Sequence, residues 1–274
     1  MPQCMKDAHY KDKVVVITGG SSGIGLALAK EFAKQQAQLV LIARNKEKLA
    51  AAASVVNQFN PPGILTYSAD VSDRDAITAA VNETGNRLGK IDVVINNAGI
   101  TSCGRFADQP AENLEKCLSI NYLGAVYTSK AAWLWLKRSG GQLSFVSSVA
   151  GYIGLIGYSG YSPPKFALTG LAESLRMEAK ADGICVSVIY PPDTDTPMFA
   201  YEKLHGLPET AALSKNIKAI SAERVAKVYI NGLMKNKFEI YCDFNSRFVR
   251  WVKNNFPGLF RRITDNISQR SGNH

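Results

Sequence analysis

Lys13-Val14-Val15-Val16-Ile17-Thr18-Gly19-Gly20-Ser21-Ser22-Gly23-Ile24-Gly25-Leu26-Ala27-Leu28 runs from an apolar strand through a glycine-rich turn into a helical apolar pattern. Glycines at 19, 23 and 25 permit a tight turn and close backbone approach. The helix opening at Gly23 aims its free N–H groups and the positive end of its dipole back at that turn. In a doubly wound α/β sheet this first turn holds the pyrophosphate of a dinucleotide, with Ser21, Ser22 and Ile24 completing the loop. A glycine triplet alone is a weak signal; its place between a strand and a helix gives it weight.

Outward from this turn, apolar runs alternate with 3.6-period segments. They predict strands over Lys13–Thr18, Gln38–Ala43, Ile64–Ala69, Ile91–Asn96, Gln142–Ser147, Ile184–Tyr190 and Phe238–Tyr241. They predict helices over Gly23–Gln35, Lys46–Phe59, Arg74–Leu88, Ala111–Lys137, Tyr161–Ala181 and Ala222–Met234. Strands separated by single helices imply parallel pairing with right-handed crossovers. The expectation is a doubly wound parallel sheet of about seven strands, a Rossmann fold with helices on both faces. It predicts one domain over residues 12–242 and a short helical C-terminal extension over 243–274. Within the domain, 191–220 lacks a strong period and follows the sixth strand, on the sheet edge where ligands bind. It reads as a substrate loop with one or two short helices.

At 46% hydrophobic and 20% charged, the 274 residues have the composition of a packed globular protein. Cys4, Cys103, Cys117, Cys185 and Cys242 are scattered and odd in number, with no leader pattern before them. A reducing, cytoplasmic setting is the expectation. No apolar run approaches the roughly 20 residues of a membrane-spanning helix. His9, His205 and His274 lack ligand-like spacing, so no metal site is expected. The net charge of +9 comes from 32 basic and 23 acidic residues, and residues 246–274 hold six Arg or Lys against one Asp. No DNA- or RNA-binding motif accompanies the charge, so nucleic acid is not an expected partner. An anionic membrane surface or a cofactor phosphate fits better.

A second motif, Tyr161-Ser162-Pro163-Pro164-Lys165, carries chemistry. A carbonyl that accepts hydride becomes an alkoxide and needs a proton. A free phenol, with a pKa near 10, is a poor participant at neutral pH. On a helix Tyr161 and Lys165 share a face, and an ammonium there is expected to lower the phenol pKa. A shift of about 3 units would correspond to roughly 4 kcal/mol. Ser148, at the end of the fifth strand, would polarise the substrate oxygen, with neighbouring Ser147 competing for that role. Taken alone, Tyr161 and Lys165 would be an ordinary amphipathic pair and Asn121 a cap.

Gly19-x-x-x-Gly23-x-Gly25, Asn96-Asn97-Ala98-Gly99, Asn121, Ser148 and Tyr161-x-x-x-Lys165, in this order and spacing, resemble the short-chain dehydrogenase/reductase family over residues 12 to 235. The resemblance implies that Asn121 supports a water linked to Lys165. It implies that Lys165 holds the nicotinamide ribose, and that Asn97, Ala98 and Gly99 pack beside the adenosine. Asp70 and Val71 would contact the adenine, and Pro191, Thr194 and Thr196 would lie along the nicotinamide. Pro192 stands where the family has glycine, which stiffens that loop. Family members usually pair through the helices that carry Asn121 and Tyr161, so a dimer or tetramer is expected.

NAD-binding folds place an acid at the end of the second strand, for the ribose 2′-hydroxyl. Here that strand ends Leu41-Ile42-Ala43-Arg44-Asn45. Arg44 offers a fork for a 2′-phosphate and Lys48 adds a second cation, so NADPH is the expected cofactor. For the substrate, Pro191-Pro192-Asp193-Thr194-Asp195-Thr196 and Leu207-Pro208-Glu209-Thr210 resemble 3-ketodihydrosphingosine reductases within the family. That implies reduction of a long-chain lipid ketone. Other bulky ketones (a 3-oxoacyl thioester, a steroid, a retinoid-like carbonyl) remain the alternative, and a non-catalytic NADP sensor a further one.

In the extension, helical spacing places Phe244, Phe248, Val249, Trp251, Val252 and Phe256 on one side and Arg247, Arg250 and Lys253 on the other. Pro257-Gly258 should break the pattern, after which Leu259, Phe260, Ile263 and Ile267 group opposite Arg261 and Arg262. Such faces lie in a membrane interface, giving peripheral contact through 244–267, or dock on the domain or a partner subunit. The pattern leaves both open.

Overall fold

Alternate residues of each central strand serve two separate cores. In the computed structural model, which describes residues 9–214 and 218–271, Val14 and Val16 of β1 (Val14–Thr18) face one layer, and Val15 and Ile17 face the other. Six further strands join the same sheet: β2 (Gln38–Ala43), β3 (Ile64–Ser68), β4 (Val93–Asn96), β5 (Gln142–Val146), β6 (Cys185–Tyr190) and β9 (Glu239–Tyr241). Their order is β3-β2-β1-β4-β5-β6-β9 and every neighbouring pair is parallel. The order reverses direction between β1 and β4, which opens a crevice at the carboxyl ends of those strands.

Helices α3 (Arg74–Leu88), α5 (Gly124–Ser139) and α6 (Ser162–Ala179) cover one face. Helices α1 (Gly23–Lys34), α2 (Lys46–Asn57) and α9 (Ala222–Met234) cover the other. Side-chain caps fix where several of them begin: Asn45 accepts from the Lys48 N–H at 2.7 Å and Asp73 from the Asp75 and Ala76 N–H groups at 3.0 Å. Between α3 and α5 a Cβ at Gly85 would fall 2.1 Å from the Trp135 ring, so this crossing requires glycine.

Three expectations change on folding. The single helix expected over 111–137 is α4 (Ala111–Leu118), a π-helical turn Ser119–Leu123, and α5. The wider turn carries Asn121 inward, where its carboxamide accepts from the Ile100 N–H at 2.8 Å and donates to the Ile100 carbonyl at 2.9 Å. The 191–220 loop holds the two-residue pair β7 (Thr194–Asp195) and β8 (Ile220–Ser221), with α7 (Pro197–His205) and α8 (Pro208–Ser214) between them. Residues 215–217 lie outside the described residues. Pro257 breaks the pattern as expected and opens the last helix, because proline at the first helical position forfeits no intrahelical hydrogen bond.

The third change concerns α10 (Phe244–Asn255) and α11 (Pro257–Ser271). The expected faces are only partly kept, with Arg247 staying exposed while two other basic residues turn in. Arg250, on the side opposite the apolar residues, turns inward and pairs with Glu239 at 2.5 Å. Its guanidinium lies 4.8 Å from the Tyr190 ring centre, 5.5 Å from Tyr152 and 6.0 Å from Tyr241. Lys253 follows it, donating to the Tyr152 carbonyl and lying over the Phe166 ring. The surface on offer to α10 is a set of tyrosine faces around a carboxylate, which suits a guanidinium better than an alkyl chain. Phe244, Phe248, Trp251 and Phe256 are therefore left outward as a continuous row of ring contacts, with Leu259 and Ile263 exposed beyond them. Val249 and Phe260 do pack inward, as the apolar reading expected; the Ile267 side chain lies outside the described residues. Among the described residues no helix is long and apolar enough to cross a membrane.

Candidate active site

The crevice at the strand ends is one continuous cavity of about 880 Å³. Its floor begins at the glycine turn. Gly19 and Gly23 have φ of 66° and 52°, and a Cβ on Gly19 would lie 2.9 Å from the Ala98 Cα and the Asn97 Nδ2. Ser22 precedes α1 but makes no side-chain cap, unlike the residues that start α2, α3, α9 and α10. The first N–H groups of α1 are thus left for an anion in the cavity, which fits a pyrophosphate. Asn97 donates to the carbonyls of Thr18 and Gly19, while the Thr18 hydroxyl accepts from the Asn97 and Ala98 N–H groups. These bonds lock the end of β4 to the turn after β1.

Ser21, Ser22, Ile24, Arg44, Lys48, Asp70, Val71, Ala98 and Gly99 line the same end. Arg44 lies 3.6 Å from Asp70. Partial burial pushes the Asp70 carboxyl up, but hydrogen bonds from Ser72 and the Arg44 guanidinium outweigh it and hold the carboxyl below its usual range. Gly25 does not line the cavity. A Cβ there would meet the Gly19 carbonyl at 2.3 Å, so its place is in helix-to-turn packing.

At the other end Ser148, Tyr161, Lys165, Pro191, Thr194 and Thr196 line the cavity together. Tyr161 sits just before α6, not inside it, and the Lys165 N–H reaches the Tyr161 carbonyl at 3.4 Å, which sets the two side chains one turn apart. The Ser148 hydroxyl bonds the Tyr161 phenol, whereas Ser147 is committed to the Lys165 carbonyl at 2.9 Å. That separates the two serines. Asn121 does not reach the cavity: its carboxamide is spent on Ile100, below Gly99.

One electrostatic expectation is corrected. Burial pushes the Tyr161 phenol above its ordinary pKa and Glu202 pushes it further, with Ser148 acting against them. Lys165 does not offset this. It lies over the Tyr161 ring, 5.5 Å from the centre, and donates a hydrogen bond to the Val146 carbonyl at 2.8 Å. Burial lowers its own pKa to about 8.

The walls come mostly from the 191–220 loop, expected to cover the substrate, and from the C-terminal extension. Tyr158, Met198, Phe199, Glu202, Leu207 and Thr210 close one side, and Val249, Phe260 and Ile263 the other. The buried Glu209 binds Arg105, and the Thr210 hydroxyl donates to the Ile156 carbonyl at 2.7 Å, which hold α8 in place. Only the apolar spacing around Val249 and Phe260 pointed to an inward face.

The family profile described as short chain dehydrogenase matches residues 13–205. A 3-ketodihydrosphingosine reductase of Bos taurus is 41% identical over 242 residues, covering 86% of this chain and 71% of that protein. A 3-ketodihydrosphingosine reductase of Dictyostelium discoideum is 38% identical over 267 residues, 91% of this chain and 79% of its own. The crystal structure of a levodione reductase superposes with a TM-score of 0.75 at 30% identity, covering 82% of this chain and 91% of that one. With the matched profile spanning well over half its length, the chain belongs to the short-chain dehydrogenase family.

Proposed function

We propose that this oxidoreductase reduces the 3-keto group of 3-ketodihydrosphingosine to the alcohol, with NADPH as its cofactor. The observation that carries the reading is the convergence of Ser148, Tyr161 and Lys165 at the far end of the cavity that begins at the uncapped α1. The names and coverage of the relatives supply the substrate class. The residues of the nucleotide end fit NADPH: Gly19, Ser21, Ser22, Gly23 and Ile24 for the pyrophosphate, Arg44 and Lys48 for the 2′-phosphate, and Asp70, Val71, Asn97, Ala98 and Gly99 for the adenosine.

NADPH, when bound, would supply the hydride that the carbonyl carbon accepts. Ser148 holds the carbonyl oxygen and strengthens its hold as negative charge develops there. Tyr161 gives that oxygen its proton. Lys165 would hold the cofactor's ribose and return a proton toward the phenol, and Asn121 keeps the Gly99–Ile100 backbone in place beneath it. Pro191, Thr194 and Thr196, which line the same end of the cavity, would hold the nicotinamide. The apolar walls at Leu207, Val249, Phe260 and Ile263 accept the alkyl chain and exclude water.

The partners follow from the same reading. The outward row Phe244, Phe248, Trp251 and Phe256, flanked by Arg247, Arg261 and Arg262, docks on an anionic bilayer face, whose phosphates match those arginines and whose lipids include the substrate. Exposed Leu134 on α5 and Met177 on α6 support pairing of two copies through those helices. The direct test is NADPH oxidation with ketodihydrosphingosine in mixed micelles. Turnover is expected, falling at least about 1,000-fold in Tyr161→Phe. Tight NADPH binding without turnover of this ketone, and activity on a steroid or 3-oxoacyl thioester, would move the substrate and keep the chemistry.

A further inference from the structure

Glu202 is a carboxylate in an awkward place for a simple ketone reductase. α7 carries it into the reactive end of the cavity, beside Met198 and Phe199 and facing Tyr158 and Tyr161. Thr101 and Tyr158 hydroxyls bond it, Lys165 attracts it, and Asp193 of the same wall adds a second negative charge. Lys203, its neighbour, points to the Phe199 ring at 4.8 Å. At the far nucleotide end Asp70 is held by Ser72 and Arg44, and Asp243 is spent capping α10 at Ser246.

Two effects oppose Glu202 as it stands. Burial disfavours its charge, and its charge makes the Tyr161 phenol harder to ionise. Both are relieved if a cation sits between Glu202 and the carbonyl that Tyr161 serves. Resting on the function proposed above, the substrate supplies such a group: 3-ketodihydrosphingosine carries an ammonium on the carbon next to its ketone. Glu202 and Asp193 line the same cavity as Ser148 and Tyr161, so a cation one carbon from the reacting carbonyl would lie within reach of that wall.

We propose that Glu202, backed by Asp193, is the subsite for the substrate ammonium and selects 2-amino-3-ketones over ketones without the amine. The ammonium then does two things. It anchors the head of the lipid so that the ketone meets Ser148 and Tyr161. It also cancels the negative field on Tyr161 only when the right substrate is present, which ties proton donation to recognition.

The test compares ketodihydrosphingosine with the same long-chain 3-ketone lacking the amine, in wild type, Glu202→Gln and Asp193→Asn, with NADPH affinity measured as a fold control. Wild type is expected to favour the amine by at least about tenfold in kcat/KM. In Glu202→Gln that ratio is expected to collapse toward one, chiefly through KM for the amine. Equal losses on both ketones, or an unchanged ratio, would overturn the proposal. A second arm measures binding of dodecylamine and dodecanol to the NADP-bound protein. Wild type should prefer the amine and Glu202→Gln should not; no preference in wild type would overturn it. This arm reads the subsite even if ketodihydrosphingosine is not turned over, which would count against the assigned reaction alone.

Discussion

Lys165 sets opposite pH trends for activity and for stability. Its buried ammonium has a pKa near 8 where an exposed lysine has about 10.5, because burial disfavours the charge. If the ammonium returns the proton to Tyr161, kcat/KM for ketone reduction falls as pH rises through about 8. Between that pH and about 10.5 the unfolded chain binds more protons at this lysine than the folded one, so its contribution to stability rises with pH. Activity and chemical denaturation followed from pH 6 to 10 would separate the two; a flat rate to pH 10 would remove Lys165 from the proton path. Arg44 is the other informative side chain. Arg44→Ala is expected to raise the Kd for NADPH about 10- to 100-fold and leave that for NADH within a few-fold, because only the 2′-phosphate meets the guanidinium fork. Tyr161, Lys165 and Ser148 could be singled out in the sequence only because their spacing resembles that of the family, since the pair alone reads as an ordinary amphipathic one. Glu202 was not legible, since no local period ties α7 to Ser148, Tyr161 and Lys165. The pKa of Tyr161 was misread because the effect of burial does not show in sequence.

At the scale of elements, the strands and long helices follow the alternation of periods closely, since each buries one face or both against a neighbour. The π turn at Ser119–Leu123 is invisible to periodicity: one wider turn leaves the pattern on either side almost intact. The extension shows the limit of amphipathic reading. The apolar and basic sides of α10 were identified, but which one docks depends on what the body offers, and the three tyrosines and Glu239 take the arginine. The exposed ring row is then a surface with a predictable behaviour. The protein is expected to float with liposomes containing anionic lipid at low salt. Phe248→Glu with Trp251→Glu should leave most of it at the bottom while NADPH binding persists. Flotation unchanged by this pair would place any lipid contact elsewhere.

Over the whole molecule, the cavity is assembled from distant parts of the chain. Its nucleotide floor comes from strand-end loops in the first hundred residues, tied together through Thr18 and Asn97. The walls at its other end come from residues beyond 150, with α11 laid against α8. The first part follows from the strand–turn–helix arrangement at Thr18–Gly25 and was readable. The second depends on long-range packing of segments without a strong period.

That layering dictates a sequence in time. A floor that is complete before the walls are filled lets the nucleotide enter an open site, whereas a lipid seated between α7, α8 and α11 would block its way in and out. The reaction should therefore run with compulsory order, nucleotide first on and last off. Steady-state product inhibition is the readout: NADP⁺ competing with NADPH but not with the ketone, and a dead-end lipid amine failing to compete with NADPH. Random entry would show that the walls open independently of the nucleotide.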